Sequence, residues 1–194
     1  MKKLFLGLCF LMTGCASTHE IVATSMQKTV AAQSNDIHFL DGLVKLPNDS
    51  TAYMAYPNNG YDHLHSYPKS AKETLLALND ALKDHFKTLT LASHFQSAQF
   101  EYLAARDKKY DYFILPRITN WTDSYTLFTG VADNVAMNIK IYDLRTNQLI
   151  DEIHIKSISS KMPGFEKTPI ELLHEPLTAI AENLFMQGKP ANAS

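Results

Sequence analysis

Tyr61-Asp62-His63-Leu64-His65 sets two imidazoles two residues apart beside a carboxylate. On a strand the two rings would share one side, which is the start of a surface metal site. No third ligand follows from spacing, so a solvated loop is the better reading and no metal is assigned. His85 and His94 stand on either side of a predicted connection, and His154 falls on the polar face of a predicted strand. Each reads as an exposed or hydrogen-bonded histidine rather than a base. The chain has no Gly-x-Ser-x-Gly elbow, no His-Glu-x-x-His and no glycine-rich phosphate loop, with only seven glycines in all. No catalytic residue and no cofactor are assigned, and a hydrolase ranks last among the functional readings.

A second kind of chemistry belongs to aromatic groups with one wet end. The stretch from Ile118 to Gly130 carries the only tryptophan, Trp121, with Asp123, Tyr125 and Phe128 in a polar setting. Such residues dock partners or glycans when exposed. Alternatively the stretch is a long twisted hairpin with Trp121 capping the core edge, which is the favoured reading. Trp121, Asp123, Tyr125 and Phe128 are the candidate contact surface.

Cys15 offers covalent chemistry of its own. Met1-Lys2-Lys3 is cationic, Leu4 to Met12 is uninterrupted and apolar, and Thr13-Gly14 precede the cysteine. The apolar run is well short of the roughly 20 residues that span a bilayer and fits a secretory signal. Met12-Thr13-Gly14-Cys15 resembles the lipobox of bacterial lipoproteins, with Met12 where Leu is usual. The resemblance implies cleavage before Cys15, a diacylglycerol on its sulfur and an acylated amino terminus. Two or more chains anchor stably where one is marginal. Ala16 follows in place of the Asp linked to inner-membrane retention, so the outer membrane, facing the periplasm, is expected.

Composition limits the rest. Cys9 leaves with the signal, so Cys15 is the only cysteine of the expected mature chain, and thiol catalysis, disulfides and Cys-based zinc sites drop out. Without Lys2 and Lys3, 16 basic side chains face 20 acidic ones. That weakly acidic balance has no footprint for nucleic acid. The expected organisation is a signal peptide over 1–14, a lipidated end and tether over 15–35, one domain over 36–187 and a disordered tail over 188–194.

These residues need a scaffold, and periodicity supplies one. Ile37 to Pro47 is too apolar for a free linker and fits an edge strand. Thr51–Tyr56 reads as a strand stopped by Pro57-Asn58-Asn59-Gly60. Ser70-Ala71-Lys72-Glu73 has capping-box spacing, and Leu75, Leu78, Leu82 and Phe86 follow at helical intervals. A strand over 88–92 and a helix over 98–107 capped by Ser97 come next, then a β run from Tyr110 toward Trp121. Val135, Met137, Ile139 and Ile141 alternate with polar residues. The return strand puts Leu149, Ile153 and Ile155 on one face. Thr168-Pro169-Ile170-Glu171 opens a last helix, which Pro176 is expected to break or kink. The order β-α-β-α-β-β-β-α predicts an α/β (α+β) two-layer sandwich, a mixed four- to five-stranded sheet with helices packed on one face.

Tyr112-Phe113-Ile114-Leu115-Pro116-Arg117-Ile118, Trp121-Thr122-Asp123, Thr126, Gly130 and Asp133, leading to Tyr142-Asp143, resemble a family of bacterial lipoproteins catalogued as domain of unknown function 4823. The likeness runs from the lipobox to the helix opening at Thr168 and includes Leu172-Leu173. Thr122 and Phe128 depart from it, where the family tends to have an acidic residue and a second Trp. Pro68-Lys69-Ser70 stands where the family tends to have Gly-Ser-Gly. The architecture is also similar to small periplasmic α/β docking domains, an analogy of fold alone. Together these imply a membrane-anchored, non-enzymatic module whose partner is another envelope protein; a small-ligand or glycan binder using Trp121–Gly130 is the alternative.

Overall fold

The alternation of Val135, Met137, Ile139 and Ile141 produces the strand it predicts, with all four side chains at most 2% exposed. The computed structural model describes residues 34–39, 44–63, 65–124, 130–161 and 165–185. In chain order its elements are β1 (Ser34–Phe39), β2 (Thr51–Met54), β3 (Gly60–Tyr61), β4 (Ser66–Tyr67), α1 (Ser70–Leu82) and β5 (Thr88–Leu91). There follow α2 (Ala98–Asp107), β6 (Tyr112–Thr122), β7 (Asn134–Asp143), β8 (Gln148–Ile158) and α3 (Glu171–Phe185). Residues 1–33, which hold Cys15, the signal and nearly all of the expected tether, lie outside the described residues, as does the tail after 185.

Six strands form one sheet in the order β1-β8-β7-β6-β2-β5, and β3 and β4 form a separate hairpin. The α/β class holds, but the sheet exceeds the four or five strands expected. β2 is parallel to both β5 and β6, while β6-β7, β7-β8 and β8-β1 are antiparallel. The extra edge strand is β1. It starts at Ser34, inside the stretch read as tether, and pairs with β8 from Ser34↔Ile158 to Phe39↔Ile153. An edge strand read within 37–47 is thus present but starts earlier, and of it Ile37 and Phe39 pack on the core.

Alternate residues of β6 divide the interior. Tyr112, Ile114 and Ile118 join the core under α1 and α3, while Phe113 and Leu115 pack with Ala105 and Tyr102 of α2. Side chains two apart share a sheet face, so α2 covers the face opposite α1 and α3. The single helical layer expected is therefore wrong. The reason is topological: the chain crosses outward from β2 to β5 through α1, then back past β2 to β6 through α2. Crossovers between parallel strands are right-handed in nearly all cases, and reversing their direction moves the helix to the other face.

Three local expectations also change. Ser70 does not cap α1; its hydroxyl accepts from the Gly60 amide at 2.7 Å and donates to the Tyr67 carbonyl at 2.6 Å. It is already helical, behind an N-cap at Lys69, and ties the β3–β4 hairpin to the helix. The β7–β8 register shifts between Ile141 and Tyr142, so Leu149 is turned out, 46% exposed, while Asp151 is 3% exposed. Pro176 does not break α3, which runs on to Phe185. A mid-helix proline costs about 3 kcal/mol, and burial of Leu172, Leu173, Leu177, Ile180 and Leu184 exceeds that at about 1.5–3 kcal/mol each. Half of the Thr168–Glu171 box is present: the Thr168 amide donates to Glu171 Oε2 at 2.8 Å, and its hydroxyl donates to the same oxygen at 2.9 Å instead of accepting from a helix amide.

Candidate functional site

Trp121 sits at the end of β6 on the face packed against α1 and α3. Its side chain is 2% exposed and belongs to the main core cluster. Gly60 lies against it, so the β3–β4 hairpin covers the indole from outside. The expected aromatic contact surface is therefore not formed by Trp121; two-residue periodicity places it inward, three positions beyond Ile118 because of the irregularity between Ile118 and Asn120. Asp123 is exposed. Tyr125 and Phe128 lie outside the described residues.

The carboxyl of Asp133, not singled out chemically by sequence, anchors this region. It is 5% exposed and accepts from the Ser124 amide at 2.6 Å and the Ser124 hydroxyl at 3.2 Å. Burial raises its pKa, with these hydrogen bonds opposing. The Asp133 carbonyl accepts from the Ser159 amide at 2.8 Å, so one residue joins the ends of three segments. This is scaffold chemistry.

The histidines are dispersed. His63 and His65 are exposed around the β3–β4 turn, where the Asp62 carboxylate accepts from the His65 amide at 2.7 Å. His85 stacks on Phe185 at 4.9 Å, His94 contacts Ser93 and Gln96, and His154 lies 2.7 Å from Asn138 Oδ1. Among the described residues no group of three metal-ligating side chains converges.

A more substantial concavity lies on the α2 side. In open α/β sheets, ligands bind beyond the carboxyl ends of parallel strands where the chain reverses its crossover direction. Here that place is bounded by the segments after β2 and β5 and by the start of α2. A cavity of about 300 Å³ is lined there by Tyr56, Phe95, Gln96, Leu115, Pro116 and Arg117, among others. A second, of about 350 Å³, lies between α2 and the β7–β8 turn, with Gln99, Tyr102, Phe113 and Tyr142 in its walls. Ala98 and Leu115 line both, so the two form one crevice. Its floor is rigid: Tyr102 meets Phe113 and Tyr142 edge to face at 5.5 and 5.6 Å.

Above the crevice, the outer side of α2 is also apolar. Phe100 is 58% exposed and Leu103 39%, with Phe95 just before the helix at 61%. A helix that already packs Ala105 and Tyr102 inward has no folding reason to carry a second apolar face. The helix expected over 98–107 did not by itself state which way Phe100 and Leu103 point.

Glu101 is the one strongly displaced acid of this region. It is 1% exposed, and burial pushes its pKa up to about 7, with a hydrogen bond from the Tyr56 backbone amide opposing. A carboxyl displaced toward neutrality beside a cleft has the profile of an acid–base catalyst. Both oxygens are sealed from solvent.

The fold recurs in solved structures. The PelC dodecamer from Paraburkholderia phytofirmans matches with a TM-score of 0.57 at 13% identity, over 79% of this chain and 100% of that one. Its L103M form gives 0.55 at 14%, over 78% and 96%. At this identity the likeness concerns fold. No match was found among curated proteins. The model of one family, Domain of unknown function (DUF4823), matches residues 44–184, a span that includes the whole sheet except β1, and to that family this chain belongs.

Proposed function

We propose that this protein is a non-enzymatic docking module of the bacterial envelope, held to the inner leaflet of the outer membrane by lipid on Cys15, which binds another envelope protein through the α2 crevice. The observation that carries the docking part is the outward apolar face of α2 beside two adjoining cavities. Exposed apolar surface gathered in one place marks an interaction site more often than scattered residues do. The lipobox resemblance supports the anchor, and Ala16 supports the outer membrane. The glycan-binding alternative loses its main support, since Trp121 is inside. Asp123, Tyr125 and Phe128 are retained as a proposed accessory contact.

Two experiments test this. Cys15→Ala abolishes lipid labelling and membrane fractionation; a variant still labelled and membrane-bound disproves the anchor. A photoreactive residue at Leu103 crosslinks an envelope protein in living cells, whereas the same probe at His174, exposed on α3 on the opposite side of the sheet, does not. Equal yields at both positions overturn the assignment of the crevice. The product mass separates a second copy of this chain, raised by the PelC dodecamer, from a different partner.

A further inference from the structure

Resting on that docking reading, we propose that the α2 crevice receives an acidic segment of the partner protein, with apolar side chains in the two cavities and a carboxylate on Arg117. Arg117 lines the first cavity, is exposed, and makes no ion pair among the described residues. It stands two residues from Leu115 on the same strand, so both point to the α2 side of the sheet. Lys140 faces Leu115 across the β6–β7 ladder but is held by Glu152 at 3.3 Å. Arg145, at the far end, is held by Asp143 at 2.9 Å. Arg117 is thus the cation of the crevice with its charge unmatched, on a chain whose formal charge is −2.

The paired cavities favour a chain over a small molecule. They flank Leu115 and Ala98, so side chains from one segment can fill both while its backbone passes over the shared wall. Arg117 supplies selection more than affinity. An exposed ion pair changes affinity by a few-fold at most, whereas each buried large apolar side chain changes it by about tenfold or more. A guanidinium donates two parallel N–H bonds to a carboxylate and repels lysine or arginine at the same place.

The test is selection of a random nonapeptide display library against the full protein in detergent, followed by anisotropy with the enriched labelled peptide. Enriched sequences should combine Asp or Glu with Phe, Leu or Trp. The leading peptide should bind at least fivefold more weakly to Arg117→Glu, with Arg117→Gln in between, and circular dichroism should show both variants folded. Enrichment of basic or uncharged sequences, no enrichment, or equal binding to all three proteins overturns the inference. The docking reading is judged separately by the Leu103 crosslink. A protein trapped there without acidic selection sinks only this inference; no product at Leu103 sinks the docking reading itself.

Discussion

Gly60 and Trp121 are in direct opposition: a Cβ at 60 would run into the Trp121 Cβ and stand 2.8 Å from its Cγ. The third neighbour, Ser70 Oγ at 3.1 Å, accepts from the Gly60 amide. The backbone of β3 therefore packs on the indole with no room for a side chain. Gly60→Ala should destabilise the protein by about 1–3 kcal/mol, the usual cost of overpacking. Urea unfolding followed by tryptophan emission measures it; an unchanged midpoint would show that the hairpin does not hold Trp121 in place.

Glu101 makes stability depend on pH. Its folded pKa of about 7 lies above the ordinary value of 4.5, so the folded state binds its proton more tightly than the unfolded state. Stability from this group is complete below about pH 4.5 and is lost as pH rises to about 7. Glu101→Gln should remove that fall, stabilising the protein by on the order of 2 kcal/mol at pH 8 and little at pH 4.5. Matched denaturation curves at the two pH values decide it.

Asp143 has the opposite sign. Hydrogen bonds from the Arg145 side chain, then from the Arg145 and Thr146 amides, hold its pKa below the ordinary carboxylate range despite some burial. Its contribution is present above the unfolded pKa and lost as pH falls through the folded one. Asp143→Asn should therefore weaken the β7–β8 turn at neutral pH by about 1 kcal/mol. Thermal melts from pH 7 downward should show the difference from wild type shrinking as the pH falls through the folded pKa.

Phe100→Ser with Leu103→Ser should leave unfolding within about 0.5 kcal/mol of wild type, as expected of exposed positions. The same pair should abolish the in-cell crosslink, with the probe moved to Gln99. Loss of stability comparable to a core truncation would mean that these side chains support the fold and not a partner.

Local pattern alone determined a good deal. The core of β7, the Ser97 cap of α2 and the Thr168–Glu171 contact at the start of α3 were legible because each depends on residues within a few positions of one another. Ser70 was misleading for the same reason: its spacing to Glu73 fits a cap, yet the Gly60 amide, ten residues away in sequence, takes the hydroxyl. Trp121, Leu149 and β1 turn on register and pairing, which a single strand does not encode. The orientation of α2 is the largest such decision. Nothing between 98 and 107 states which sheet face it covers. That follows only once β2 is flanked by β5 and β6, because keeping both crossovers right-handed then places α1 and α2 on opposite sides and leaves Phe100 and Leu103 facing solvent.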